Sequence, residues 1–301
     1  MQTLVLSRGD VLRHLDALGL LSELRRASVQ HATRWPAGPT LARALPRAGA
    51  SATVRMPGLL EGIPAYSVRV SHDSAEGEQG MLLLHALDTG RLLAVMDAGH
   101  LGALCGAVAC ALAADVLARP DACRVALVGS APPASVQLKC LRLVRSLSQL
   151  RVHDEDHARA FGLAGRLQST LHLPARSTNT VEEAVEDADL VVVTGSGDAP
   201  ALQPGMLRPG CHVTVVGLEQ PGHRELEGEA TRWRVFSGHP GLSGGTALGE
   251  VLAGRAPGRT GPEVLTVFRH VGLPLEDLVA AWRVYQGARD DDAVTRLDFS
   301  A

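Results

Sequence analysis

Apolar positions along this chain follow two different rhythms. From residue 124 onward the apolar residues come in short unbroken runs. Arg124–Val128 (RVALV), Leu190–Thr194 (LVVVT) and Val213–Gly217 (VTVVG) each stop at a small or polar residue. Runs this short, bounded by turn residues, predict strands buried on both faces, as in a parallel sheet. Between them the apolar residues step at helical spacing. Val136, Cys140, Leu143, Val144 and Leu147 share one face of a helix predicted over Ala134–Leu147. Helices are also predicted over Asp156–Leu167, Thr180–Glu186 and Leu248–Ala253, the last stopped by Gly254. Short strands are predicted at Leu150–Val152, Leu171–Leu173, Arg234–Phe236 and Thr266–Phe268.

The first third of the chain alternates instead. In Tyr66–Ser71 (YSVRVS), Ser67, Arg69 and Ser71 share one face and Val68 and Val70 the other. Met81–Ala86 and Arg91–Met96 predict a hairpin across Leu87-Asp88-Thr89-Gly90. Leu4–Leu6 is a strand, and Ser7 with Asp10 marks a helix start. Residues 33–50 read as loop with a short strand, and Val54–Gly58 as a strand ending in a turn. His100–Leu117 is a long alanine-rich helix with Leu101, Leu104, Val108 and Leu112 in step. A final helix, Leu275–Gln286, and the tail through Phe299 are predicted to return to the first domain. The fold class is therefore α/β. A Rossmann-type doubly wound parallel sheet at 116–269 is joined to a discontinuous α+β substrate and dimerisation domain at 1–115 with 270–301.

The candidate chemistry sits between Arg124 and Asp154, which read as strand, tight turn, helix, strand and acid. This order is the first βαβ unit of a dinucleotide-binding fold. In such a unit a glycine turn lets a pyrophosphate approach the backbone at a helix start, and the acid accepts from a ribose hydroxyl. The turn here is Gly129-Ser130-Ala131-Pro132-Pro133-Ala134. Ala131 stands at the usual middle glycine, and Pro132 and Pro133 bring no N–H, so the phosphate grip is weakened. Asp154 is the expected ribose acceptor. Glu155 beside it opposes a 2′-phosphate, which points to NAD(H). Thr194, Gly195, Ser196 and Gly217, at the ends of later strands, complete the expected cofactor contacts.

Composition narrows the rest. The 301 residues carry a net charge of -3, which gives no reason to expect nucleic acid or membrane. No apolar run is expected to reach the ~20 residues of a membrane span, and the N-terminus lacks a signal-peptide pattern. The five cysteines form no CxxC pair, and four sit in apolar contexts that read as buried thiols in a reducing cytoplasm. The twelve histidines show no HExxH or close ligand set, so no metal is expected. Lys139, inside the first Rossmann helix, is the only lysine, which excludes a catalytic lysine elsewhere.

Motif order adds a resemblance. LSRGDV at 6–11, RMPG at 55–58, LDTGRLLAVMD at 87–97 and LGALCGAVACALAADVLAR at 101–119 are followed by VALVG at 125–129 and VEEAVEDADLVVVTGSGDAPAL at 181–202. VVGLEQPGHREL at 215–226, LGEVLAGRAPGR at 248–259 and TVFRHVGLPLEDL at 266–278 complete the set. In this order they resemble the ornithine cyclodeaminase/mu-crystallin family over nearly the whole chain. The resemblance implies a homodimer, NAD(P) and chemistry on imines, with hydride moving between nicotinamide and a carbon bearing nitrogen. It also implies site residues. The family's first carboxylate-binding arginine falls on Arg43, and its active-site lysine on Ser67. Arg69, two residues on and on the same face, is the nearest substitute cation. The family's RTAA becomes Cys105-Gly106-Ala107-Val108, losing a second carboxylate-binding arginine and a threonine. The aspartate of its VG-x-D-x-PG motif is Glu219, and VFDSVG becomes Val267–Gly272.

Glu219, Arg43, Arg69 and Ser67 are thus the candidate catalytic set. Losing an arginine–carboxylate fork costs about 1.5–3 kcal/mol. Ordinary α-amino acids are therefore not the expected substrates. Two readings follow: an NAD(H)-dependent oxidoreductase for an imine, amine or unusual amino-acid-derived substrate, or an inactive binding or scaffold protein.

Overall fold

The computed structural model describes residues 2–34, 45–47, 50–55, 59–74, 77–131, 133–194, 202–216, 233–238, 245–270 and 272–299. Two compact units divide the chain. One comprises Met1–Cys105 with Gly272–Ala301, the other Gly106–Val271.

The first unit is built on a seven-stranded sheet. In chain order its strands are β1 (Thr3–Leu6), β2 (Leu45–Arg47), β3 (Ala50–Arg55), β4 (Ala65–Ser74), β5 (Gly77–Ala86), β6 (Leu92–Asp97) and the C-terminal strand (Thr295–Leu297). The spatial order is C-terminal strand, β1, β6, β5, β4, β3, β2, with only β1–β6 parallel. Gly90, with φ 68°, makes the turn between β5 and β6. Helix α1 (Arg8–His14) starts where Ser7 and Asp10 exchange bonds: Ser7 N donates to Asp10 at 2.7 Å and Asp10 N to Ser7 Oγ at 3.3 Å. A second helix, α2 (Ala17–Arg34), runs on into the stretch expected as loop.

α3 (Ala98–Leu117) begins in the first unit and continues into the second. Leu101, Leu104, Val108 and Leu112 on it are all buried, as their spacing predicts. Contrary to the sequence expectation, this helix is long and apolar enough to cross a membrane. Its composition has another cause, because 72% of the apolar window is buried inside the protein.

The second unit carries an eight-stranded, all-parallel sheet. Its elements are β7 (Arg124–Val128), α4 (Ala134–Leu141), β8 (Gln149–His153), α5 (His157–Leu171), β9 (Ala175–Ser177), α6 (Val181–Val185), β10 (Leu190–Thr194), β11 (His212–Val216), β12 (Trp233–Ser237), β13 (Thr246–Ala247), α7 (Leu248–Leu252) and β14 (Leu265–His270). The spatial order β9-β8-β7-β10-β11-β14-β12-β13 reverses direction between β7 and β10. That reversal is the switch point beside which open α/β sheets bind ligands. Val125 and Leu127 of β7 pack on one apolar core with α4 and α5, while Ala126 and Val128 face another with α6. Both faces are therefore filled, as the unbroken runs require.

The chain ends with α8 (Pro274–Ala288), which packs on β4 and β5 within the first unit, and the short C-terminal strand β15 (Thr295–Leu297) beside β1.

Two further boundaries differ from expectation. α4 stops at Leu141, where the bonds tighten to Leu143 N–Cys140 O and Val144 N–Leu141 O, while the Arg145 guanidinium donates to the Ala114, Asp115 and Val144 carbonyls. Leu171 is not strand but the last turn of α5. It continues the buried stripe Leu163, Ala164, Leu167, and His172 then closes the helix in the left-handed region at φ 49°.

Candidate functional site

The site grows from the C-terminal ends of β7, β8 and β10. Gly129 leaves β7 with φ 89°, and a β-carbon there would run into the Thr194 carbonyl, so only glycine fits. Thr194 Oγ1 donates to Gly129 O at 3.0 Å, and Gly129 N donates to His153 O at 2.8 Å. The turn is thus held to the strand ends on both sides. Ala134 N donates to Ala131 O at 2.9 Å, starting α4 behind Pro133, which offers no side-chain cap. This crowded, glycine-dependent cradle with backbone close to its surface fits a dinucleotide pyrophosphate.

Asp154 follows β8 and faces the turn. Its Oδ2 accepts from Ser130 N at 2.8 Å and Ser130 Oγ at 2.6 Å, and its Oδ1 from Asp156 N at 2.9 Å. Arg159 Nη2 lies 3.3 Å from Oδ1. Burial alone would raise the Asp154 pKa, but the donors from Ser130 and Asp156, together with Arg159, hold it below the ordinary carboxylate value. An open depression of about 350 Å³ lies against this corner, lined by Ser130, Ala158, Arg159 and Arg166.

Further along the rim, Thr194 of β10, Val216 of β11 and His270 of β14 stand in register. His270 is buried, its ring 6.4 Å from that of Phe268. A β-carbon on Gly106 of α3 would lie 3.0 Å from His270 Cε1. Two departures from the family pattern, at 106 and 270, therefore touch each other. With Gly99 and Gly102 also in α3, no local pattern singled out Gly106 for this pairing.

In the first unit, Ser67, Arg69 and Ser71 share one face, and all three are buried. Arg69 Nη1 donates to Asp277 Oδ1 at 2.8 Å, with side chains only 1% and 3% exposed. A β-carbon on Gly102 would overlap the Arg69 guanidinium, so α3 gives way to admit it. This places Arg69 in an ion pair that compensates its charge. Asp277, in the first turn of α8, was not among the sequence candidates; its sign and its place at a helix start were the available clues. Cys105 is buried, with its thiol 3.6 Å from Glu276 O. Among the described residues no group of His, Cys, Asp or Glu could hold a metal. Arg43, Pro132, Gly195, Ser196, Gly217 and Glu219 lie outside the described residues.

Residues 55–239 and 241–292 match the sequence model of the ornithine cyclodeaminase/mu-crystallin family. The chain belongs to this family. Mouse ketimine reductase mu-crystallin is 28% identical to it, covering 93% of this chain and 96% of its own. The structure is similar to an archaeal alanine dehydrogenase dimer with bound NAD, with a TM-score of 0.88 and 21% identity over 99% of this chain and 100% of the other. It is similar also to the Thermococcus litoralis Δ(1)-pyrroline-2-carboxylate reductase in complex with NADH and L-proline, with a TM-score of 0.87 and 21% identity over 98% and 100%. The two likenesses establish the α/β Rossmann-type fold.

Proposed function

We propose that this family member is an NAD(H)-dependent oxidoreductase that interconverts an imine and an amine, or an unusual amino-acid-derived equivalent, in a biosynthetic setting. The observation that carries the reading is the rim at Gly129. It keeps the strand–turn–helix geometry, the Thr194 tie and the acid at the end of the next strand. The relatives add the reaction class, since those named above include a ketimine reductase and a pyrroline-2-carboxylate reductase.

NAD(H), when bound, supplies or accepts the hydride at the carbon bearing nitrogen. The chain's part is to hold the turn, orient the substrate and exchange one proton with nitrogen. Glu219, after the VTVVG strand, is the residue we propose for that exchange. Arg43 supplies anion recognition. Arg69 contributes to it only by leaving Asp277, and Ser67 offers a hydroxyl where the resemblance implies a lysine. This candidate set is accordingly less basic in sequence than the family pattern, which favours a substrate whose α-carboxylate is absent or differently presented.

We further propose that the protein works as a homodimer in the cytoplasm. The support is the apolar outer face of β4 and β5, described below, and five free cysteines.

The assay is NADH consumption with 1-pyrroline and with Δ(1)-pyrroline-2-carboxylate, beside NAD-dependent ornithine and alanine conversion. The reading expects an imine to be reduced and both amino acids to be poor substrates. Glu219→Gln should abolish the imine activity with an unchanged Tm. Efficient alanine or ornithine turnover would contradict the substrate reading, and full activity in Glu219→Gln would remove Glu219 from the mechanism.

A further inference from the structure

We infer that His270, seated against Gly106, is a substrate-binding, specificity-determining residue. Its imidazole offers an N–H to an uncharged carbonyl beside the imine carbon, so the substrate class is an imine carrying an amide or ester rather than a free carboxylate. This rests on the imine–amine reading above.

One row of residues crosses the parallel sheet at its strand ends. Thr194 of β10 is tied to Gly129, and Val216 of β11 and His270 of β14 continue the row in register. Leu190 and Val192 pack in one core with Ala114 and Ala118 of α3, so Thr194, at period two from them, puts the row on the α3 face. Asp154 follows β8, on the opposite side of β7. A dinucleotide with its pyrophosphate at Gly129 and a ribose toward β8 therefore sends its nicotinamide toward β10, β11 and β14. His270 stands three strand spacings from β7, roughly 14 Å, too far to touch the pyrophosphate. It belongs to the end of the crevice where hydride moves.

The donors available there are few. The Thr194 hydroxyl is engaged by Gly129 O at 3.0 Å, and the Val216 side chain has no donor. Among the described residues that end these three strands, His270 is the side chain left to donate to a ligand. Arg269 beside it alternates to the opposite face with Val267, which packs in the other core. The row thus presents an imidazole and no guanidinium. An imidazole has no parallel N–H pair to match a carboxylate, but one N–H matches one carbonyl oxygen.

The helix is shaped to hold this ring. A β-carbon at Gly106 would lie 3.0 Å from Cε1, 3.3 Å from Nδ1 and 3.9 Å from Nε2 of His270. The family pattern has a threonine at 106 and a serine at 270. A threonine reaches beyond its β-carbon, so it and the imidazole exclude each other. Two small hydroxyl residues have been exchanged together for a glycine and a ring. His270 is only 7% exposed, which fixes the ring before a ligand arrives. Nε2, the nitrogen farther from Gly106, is the donor we assign.

Pyrrole-2-carboxamide and pyrrole-2-carboxylate are planar, non-reducible mimics of the two imine classes. Calorimetry of each with the NADH-saturated protein tests the inference, with NADH titrated separately and Tm recorded for every variant. The wild type should bind the carboxamide more tightly than the carboxylate. His270→Leu fills the volume without a donor and should weaken the carboxamide by about three- to tenfold, with NADH changed less than about twofold. His270→Gln, whose amide N–H lies near the Nε2 position, should recover most of the loss. In protein carrying isotope-labelled histidine, the carboxamide should shift a ring signal that is missing from His270→Leu. The double variant Gly106→Thr/His270→Ser restores the family pair, so it should fold and lose the preference; it decides the matter if His270→Leu does not fold. Equal carboxamide affinity in wild type and His270→Leu, an unmoved His270 signal, or tighter binding of the carboxylate would overturn the inference. So would a protein that binds NADH and neither mimic. In each of these cases imine reduction in the assay above would leave the proposed function standing. Absence of NADH binding would instead bring down the cofactor reading, and this inference with it.

Discussion

The two faces of strand β4 in the first unit are inverted relative to a simple hydrophobic pattern. The inner face of β4 carries Ser67, Arg69 and Ser71, all buried, with Arg69 held by Asp277. The outer face carries Val70 at 42% exposure, paired across the strands with Met81 at 57%. Val68, Leu83 and the stacked rings of Tyr66 and His85, 5.0 Å apart, lie on the same outer side. Alternation separates the faces of a strand without saying which one turns inward. Here an ion pair with a dedicated counter-charge makes the polar side the inner one. The apolar side is left for a second cover, which is why we assign it to a partner copy. Both faces of the parallel sheet in the second unit, by contrast, are filled from within the chain.

The strongest way to break this comparison is to remove the inner counter-charge. Asp277→Ala leaves a buried guanidinium without its carboxylate and should destabilise the protein by about 3–5 kcal/mol, read as a shift in the denaturant midpoint. A change near zero would mean that Arg69 reaches water, and that the inner face is not as dry as it looks.

A buried polar group in the second unit predicts a smaller, pH-dependent effect. His212 on β11 is bonded to Thr266 Oγ1 at 2.8 Å and Thr214 Oγ1 at 3.2 Å. Burial, reinforced by Arg259 and Arg145, lowers its pKa from 6.5 to about 3. The unfolded chain therefore takes up a proton near its ordinary value while the folded one does not. The stability this residue contributes is complete above pH 6.5 and is lost progressively as pH falls toward 3. Urea titrations between these limits should show that slope, and His212→Gln should flatten it. An equal slope in the variant would assign the loss to other groups.

The smallest effect on the fold itself sharpens the comparison from outside. Met81→Glu places a charge on an exposed position, so the protomer should change in stability by less than about 0.5 kcal/mol. Light scattering should nonetheless show the mass falling from dimer to monomer. A wild-type protein already monomeric at micromolar concentration would remove the partner copy from the account.

Sequence pattern made the central strands of the second unit legible. Arg124–Val128 and Leu190–Thr194 have the bounds their apolar runs predict, because a strand buried on both faces leaves its whole pattern in sequence. Helix ends were harder. α4 stops at Leu141 because the Arg145 guanidinium finds the Ala114 and Asp115 carbonyls, contacts about thirty residues away in sequence that no local pattern encodes. The turn at Gly129 and the acid at 154 were visible as a motif, but Arg159 and Arg166 were not. Arg159 meets Asp154, and Arg166 lines the depression next to it, only once α5 has packed after β8. Likewise the Arg69–Asp277 pair joins positions 208 residues apart, and only the room left by Gly102 hinted that a large side chain would enter there.

The central claim is that the rim at Gly129 still holds a nicotinamide dinucleotide. Titrating the protein with NADH, followed by energy transfer from its tryptophans, tests it most directly. We predict saturable binding of one NADH per chain, weakened at least about tenfold by Gly129→Val, whose side chain collides with the Thr194 carbonyl. Absence of saturable binding up to millimolar NADH, in a protein with a normal melting transition, would contradict the account.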